Sequence, residues 1–228
     1  MPHSYQVNDY RQPIAEEYPA RAALDLPQSG FVFACFNQVY KIEPPVFHAW
    51  MRILARVPGS VLWLFADKTA ARANLAREAA ARGVDPARLG FGEKLPKPRH
   101  LARLAQADLF LDTFSVNAHT SASDALWVGL PVLTCPGDAF AARVAASLVA
   151  AADLPQLACR SMEDYENTAV RLAQNPAELQ GLRRTLAARE KLPLFDTPRF
   201  VRDLESAFDT MWRRYLSGKP PAAFAVGD

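Results

Sequence analysis

The stretch His119-Thr120-Ser121-Ala122-Ser123-Asp124-Ala125-Leu126-Trp127-Val128-Gly129-Leu130-Pro131-Val132-Leu133 decides the fold, because it reads as a polar helix start running through a glycine stop into a buried strand. His119, Thr120 and Ser121 gather hydrogen-bonding side chains where the first backbone N–H groups of a helix have no internal acceptor and the helix dipole is positive. A phosphate fits that end. Asp124 falls one turn further in, placed to accept hydrogen bonds from a ribose attached to such a phosphate. Thr120 or Ser121 alone would be an ordinary capping residue; His119 and Asp124 beside them argue for a ligand. Gly129 then stops the helix, and Leu130 to Thr134 is expected as the next strand.

Outward from this stretch, strand-like and helix-like patterns alternate. Phe31 to Phe36 is a short apolar run, and Glu43 to Val57 carries Val46, Trp50, Ile53, Leu54 and Val57 at helical spacing. Val61 to Phe65 (strand), Thr69 to Arg82 (helix, closed by Gly83), Leu89 to Phe91 (strand), Pro98 to Gln106 (helix) and Leu109 to Leu111 (strand) continue the pattern. A helix is expected from Phe140 to Ala152. The alternation predicts an α/β fold, a doubly wound parallel (Rossmann-like) sheet whose ligands gather at the carboxyl ends of the strands. Ser161 with Asp164 reads as a capping box, Asn175-Pro176 as a second helix start and Thr197-Pro198 as a third, running to about Tyr215. Residues 1–30, polar and without a clear period, read as an entering segment or linker. Residues 31–196 then form the main lobe, 197–216 a C-terminal helix and 217–228 a flexible tail.

Composition narrows the function classes. The 228 residues are 50% hydrophobic, enough for a sizeable core, which excludes a disordered chain. A net charge of +2, from 26 basic and 24 acidic residues, leaves no broad footprint for nucleic acid or an anionic membrane, so any anion site must be local. Cys35, Cys135 and Cys159 are odd in number and lack metal-ligand spacing, which suits free thiols and a cytoplasmic location. The first residues show no cationic stretch followed by an apolar run, and Arg143 interrupts the most apolar helix, so no signal peptide and no membrane span are expected.

Two further sets of residues belong to the same rim. Gln38 and Lys41 leave the first strand at its carboxyl end; a lysine there is a mobile charge suited to phosphate, and a glutamine can donate to a phosphate or sugar oxygen. A solvated loop lysine is the alternative. Lys97, His100 and Arg103 fall three apart on one side of a helix start, where an imidazole can stack on a base while cations meet its carbonyls. Alone the triplet could be a solvated basic face. Three such sets on one rim argue for a nucleotide-diphosphate site. No G-x-G-x-x-G, Walker-type loop or G-x-S-x-G elbow occurs, and no Asp-x-Asp pair that would hold a divalent metal on a sugar nucleotide.

Several motifs together resemble one family. Phe36-Asn37-Gln38-Val39-Tyr40-Lys41-Ile42, Ser60-Val61-Leu62-Trp63-Leu64, His100 with Arg103 before Ala107-Asp108, Asn117-Ala118-His119-Thr120 leading to Asp124-Ala125-Leu126-Trp127, Arg143-Val144-Ala145-Ala146-Ser147 and Pro193-Leu194-Phe195-Asp196-Thr197 resemble, in order, the C-terminal catalytic half of the O-GlcNAc transferases. The resemblance implies a two-lobed glycosyltransferase fold of the B type (GT-B), of which residues 31–196 would be the UDP-sugar-binding lobe. It implies inverting transfer of N-acetylglucosamine from UDP-GlcNAc to Ser or Thr of proteins, with no metal. Lys41 would stabilise the departing diphosphate, with Gln38 beside it. His119, Thr120 and Ser121, the last where the family has threonine, would bind phosphate; Asp124 would hold the ribose, and Lys97, His100 and Arg103 the uracil. It further implies a separate N-terminal lobe with tetratricopeptide repeats as partner, alongside the UDP-sugar and the protein acceptor. The alternative is a non-catalytic UDP-sugar-binding module, or a truncated remnant lacking that lobe.

Overall fold

The structure, a computed structural model, describes residues 1–226. Gly227 and Asp228, the end of the expected flexible tail, lie outside the described residues. The strands are β1 (Val32–Cys35), β2 (Val61–Phe65), β3 (Leu89–Gly92), β4 (Leu109–Leu111) and β5 (Val132–Leu133). They pair in parallel in the order β3-β2-β1-β4-β5. Phe33 lies opposite Leu62 on one side and Leu109 on the other, so β1 is central. All four residues of β1 and all three of β4 are buried, as both faces of a parallel sheet under helices require. The chain builds the sheet outward from β1 in one direction and then returns to β4 on the other side. That reversal opens a crevice beyond the carboxyl ends of β1 and β4.

Eight α-helices are described: α1 (Pro44–Arg56), α2 (Thr69–Ala80), α3 (Lys97–Leu104), α4 (Thr120–Trp127), α5 (Val144–Ala151), α6 (Met162–Gln174), α7 (Pro176–Ala187) and α8 (Thr197–Leu216). Pro44 and Pro45 start α1 where no N–H acceptor is available, and the helix buries Val46, Phe47, Trp50, Met51, Ile53 and Leu54. The Trp50 indole donates to Tyr165 Oη on α6 at 3.0 Å, and that hydroxyl donates to the Asp112 carbonyl at 3.1 Å. Two large polar-tipped rings are thus buried with their polar atoms satisfied. Helix α4 ends as the sequence predicts. Gly129 adopts φ +82°, its N–H reaches the Leu126 carbonyl at 3.1 Å, and the Leu130 N–H reaches Ala125 at 2.9 Å. This is a Schellman stop, which only a residue at ease with positive φ closes cheaply.

Several expectations change. The strand expected from Leu130 to Thr134 is only Val132–Leu133, because Thr134 turns away and bridges Ala158 instead of continuing along β4. The helix expected from Phe140 to Ala152 is split into a 3-10 turn, Phe140–Ala142, and α5. Its early carbonyls are taken by other donors: Ala141 accepts from the Asn117 N–H at 2.8 Å and Ala142 from the Gly137 N–H at 2.9 Å. Residues 1–30 are not a free linker. Asn8 donates to the Leu194 carbonyl at 3.3 Å and accepts from Thr197 Oγ1 at 2.6 Å. The Trp127 indole donates to Gln12 at 3.2 Å, and Arg21 pairs with Asp108 at 2.8 Å. The segment lacks a period because, apart from a 3-10 turn at Arg21–Leu24, it forms no helix or strand of its own, and its polar groups bond to partners scattered over the lobe.

Asp196, one residue before the expected start, caps α8 by accepting from the Arg199 N–H at 3.0 Å. Only Ala207 of α8 is buried, while Phe208, Met211, Trp212 and Tyr215 are exposed. Residues 219–226 carry no regular structure. Among the described residues, no helix is long and apolar enough to cross a membrane.

Candidate functional site

The crevice beyond β1 and β4 is built by the two segments that leave those strands. After β1, Asn37 is buried, Gln38 is exposed, and a 3-10 turn Val39–Lys41 sends Lys41 across the opening. Its Nζ donates to the Asn117 carbonyl at 2.9 Å. Asn117 lies two residues before His119, so the ammonium is held at the approach to α4, and its charge helps lower the His119 pKa after the larger effect of burial. His119 occupies the N-cap position, Thr120 is exposed and Ser121 half-buried. The Thr120 and Ser121 N–H groups have no acceptor within the helix, whereas those of Ala122 and Ser123 are taken by the His119 carbonyl at 3.1 Å.

Asp112, which the sequence reading passed over, organises this region. Its carboxylate is fully buried at the end of β4. Oδ1 accepts from the Thr113 N–H at 2.8 Å, the Ala118 N–H at 2.6 Å and Asn37 Nδ2 at 3.2 Å; Oδ2 meets Thr134 Oγ1 at 2.8 Å. One side chain therefore joins the ends of β1, β4 and β5 and closes the loop that delivers His119. Burial outweighs these hydrogen bonds and pushes the carboxyl pKa up to about 7. The only signal in the sequence is a polar Asp-Thr directly after the apolar run of β4.

The basic triplet is arranged differently from expectation. Lys97 is exposed, but its ammonium reaches across to α4 and forms an ion pair with Asp124, whose carboxylate is buried. Burial raises the Asp124 pKa and the lysine counteracts it. Two residues expected at separate parts of the site are thus one ion pair. Arg103 does not share an open face with the other two; it is buried, 3% exposed. Its guanidinium carbon lies 4.7 Å from the Phe36 ring centre and 5.9 Å from that of Trp63, so the planar cation sits on aromatic faces. It donates from Nε to His100 Nδ1 at 3.2 Å. Burial first, then the Arg103 and Lys97 charges, push the His100 pKa down to about 4, so the ring is neutral near pH 7 with its remaining proton on Nε2. Gly92 makes room beneath: a Cβ there would lie 2.9 Å from the Phe36 ring.

Tyr5 and Gln6 are further residues the sequence reading missed. Tyr5 Oη lies 3.3 Å from His119 Nδ1, and Gln6 Nε2 donates to Ser123 Oγ on α4 at 2.8 Å. Among the described residues, no three His, Cys, Asp or Glu side chains are grouped so as to hold a metal ion. The site is an open rim of N–H groups, two lysines, a neutral imidazole and one buried carboxylate. Chemically, such a set is able to accept an anion at one end and to hydrogen-bond a polar ring at the other.

Comparison with known proteins places this fold in a class. The profile of Glycosyl transferase family 41 matches residues 10–204. The chain is 42% identical over 233 aligned positions to the probable UDP-N-acetylglucosamine–peptide N-acetylglucosaminyltransferase SEC of Arabidopsis thaliana, covering 99% of this chain and 24% of that protein. A solved mutant of the Thermobaculum terrenum O-GlcNAc transferase superposes with a TM-score of 0.78 at 33% identity, over 81% of this chain and 36% of the other. The sucrose-phosphate synthase of Thermosynechococcus elongatus, 16% identical, shares the fold alone, with a TM-score of 0.60 over 91% of this chain and 51% of that one. The fold is that of one half of a GT-B glycosyltransferase. The chain belongs to glycosyltransferase family 41. It spans about a quarter of the Arabidopsis relative.

Proposed function

We propose that residues 31–196 are the UDP-GlcNAc-binding catalytic lobe of a protein O-GlcNAc transferase, which moves the sugar with inversion to Ser or Thr of proteins without a metal ion. The observation that carries this reading is Lys41 Nζ, 2.9 Å from the Asn117 carbonyl and so held at the approach to the open start of α4. A diphosphate seated on the Thr120 and Ser121 N–H groups and His119 would draw that ammonium away from a neutral carbonyl and onto itself. Asp124 would take the ribose, exchanging part of its pairing with Lys97 for hydroxyl donors. His100 Nε2–H would donate to a uracil carbonyl, with Arg103 holding it from behind. Gln38, exposed at the same edge, would reach a phosphate or sugar oxygen. The other wall of the cleft, the acceptor site and tetratricopeptide repeats would come from the second lobe.

Calorimetry with UDP, UMP and ADP tests the binding half of this proposal. UDP is expected to bind in the micromolar to millimolar range, since one cleft wall supplies only part of a site. UMP should bind more weakly and ADP more weakly still. Equal affinity for UDP and ADP removes the uracil role of His100 and Arg103, and a strict need for magnesium removes the metal-free reading.

Lys41 has a separate test. In the assembled two-lobed enzyme, Lys41→Ala is expected to lower kcat roughly 10²- to 10³-fold, because charge on the diphosphate grows as the glycosidic bond breaks. Asp124→Ala should act mainly on KM. A lysine variant with raised KM and intact kcat would make Lys41 a binding residue only.

A further inference from the structure

Residues 1–12 bring to the start of α4 a hydroxyl that no part of the proposed site requires. Tyr5 Oη lies 3.3 Å from His119 Nδ1. The other ring nitrogen, Nε2, lies 3.4 Å from the Ala141 carbonyl oxygen. Burial keeps the His119 pKa below its ordinary value, so near neutral pH the ring carries one N–H rather than two. A carbonyl oxygen only accepts, so the tautomer that satisfies both contacts has its hydrogen on Nε2 and its lone pair on Nδ1. The Tyr5 hydroxyl is then the donor to Nδ1. The opposite tautomer would set two lone pairs against each other at Ala141.

Tyr5 is held for this task from several sides. Its ring packs edge-on to Phe140, with centres 5.0 Å apart and planes at 67°. The next residue, Gln6, is anchored on Ser123 of α4 at 2.8 Å, and Asn8 is tied to Leu194 and Thr197. The Tyr5 hydroxyl therefore approaches α4 on a segment bonded to that same helix.

We infer that Tyr5 is a positioning residue for the donor diphosphate: its hydroxyl fixes His119 as the Nε2–H tautomer, the form that presents a hydrogen-bond donor to a phosphate oxygen. The inference rests on the phosphate role proposed for His119. A bound diphosphate takes over the Nε2 hydrogen from the weakly placed Ala141 carbonyl, while Tyr5 keeps Nδ1 occupied from the far side. No proton is transferred. The ring is selected in one of its two neutral forms, as a second partner selects the tautomer of any functional histidine.

The test uses the 228-residue chain and Tyr5→Phe, which keeps the ring against Phe140 and removes only the hydroxyl. Nitrogen-15 spectra of the imidazoles, read without ligand, are expected to show His119 mainly as the Nε2–H form in the parent and as a mixture in the variant. UDP affinity, by calorimetry, is expected to fall about 3- to 10-fold, the range for loss of one ordinary hydrogen bond. In a His119→Ala background the same Tyr5→Phe change should leave UDP affinity unaltered, whereas a purely structural role for Tyr5 would persist there. An unchanged tautomer in Tyr5→Phe, or an equal affinity loss in both backgrounds, overturns the inference. Failure of the parent to bind UDP would instead overturn the proposed function, and the ligand-free spectra would still decide the part played by Tyr5.

Discussion

Asp112→Ala is expected to leave the chain unfolded or to lower its melting temperature by roughly 10 °C or more, whereas Asp112→Asn should melt within a few degrees of the parent near pH 7. Alanine strands the buried Thr113 and Ala118 N–H groups, which meet this carboxylate oxygen, and takes from Asn37 Nδ2 one of its two acceptors, the other being Thr113 Oγ1 at 2.8 Å. Each buried donor left without an acceptor costs about 1–3 kcal/mol, against a total stability of about 5–15 kcal/mol for a domain. Asparagine offers the same carbonyl oxygen to those donors and an amide N–H to Thr134 Oγ1, in place of the contact now made by Oδ2 at 2.8 Å. Thermal melts of the two variants decide it; an alanine variant as stable as the asparagine one would show that these donors find other acceptors.

The pH dependence carries a second signature. With its pKa raised to about 7 from the ordinary 3.8, folded Asp112 holds a proton that the unfolded chain releases. Its contribution to stability is therefore full below pH 4 and is lost as the pH rises towards 7. His100 acts in the opposite direction: lowered to about 4 from 6.5, it stays neutral in the fold while the unfolded chain takes up a proton, so its contribution is lost as the pH falls from 6.5 towards 4. The two partly cancel in the parent. Asp112→Asn removes one of them, so the variant should gain stability relative to the parent as the pH rises from 4 to 7. Urea melts across that range would show the gain; a constant difference sinks the assignment.

The second large effect concerns catalysis. The 228 residues alone, given UDP-GlcNAc and protein acceptors, are expected to produce no glycosylated protein by mass-shift assay. Transfer needs the acceptor hydroxyl held against the anomeric carbon, and loss of such positioning forfeits roughly 7–11 kcal/mol of the rate enhancement. The crevice beyond β1 and β4 is a single rim, and the chain covers 36% of the Thermobaculum enzyme. Robust transfer by these residues alone would mean that the rim already contains a complete active site.

What the sequence displayed and what it concealed divide along a physical line. Strands and helices whose identity lies in local periodicity, such as β1, α1 and the α4 stop at Gly129, were legible because each needs only neighbouring residues. Residues whose role depends on distant partners were not. Asp112 acts through Asn37, Ala118 and Thr134, which come together only when three strands end side by side. Helical spacing put Lys97, His100 and Arg103 on one face, yet Arg103 turns inward because Phe36, directly after β1, and Trp63 on β2 offer it aromatic faces. Tyr5 and Gln6 sit in a segment without period, and nothing in its local pattern shows that it lies along α4.

Under the uracil role proposed for His100, the Arg103–His100 contact would also set how a wrong ligand is refused at that spot. With Nδ1 engaged by Arg103, the imidazole carries on Nε2 a hydrogen and no lone pair. An incoming group must bring an acceptor. One that brings an amino group would meet hydrogen against hydrogen, and the ring is held from turning to oblige it, since its far side is tied to a cation packed on the Phe36 and Trp63 rings. Under the proposed uracil role, discrimination at this point would work by exclusion: the wrong partner is kept out by a group that has been denied its alternative form.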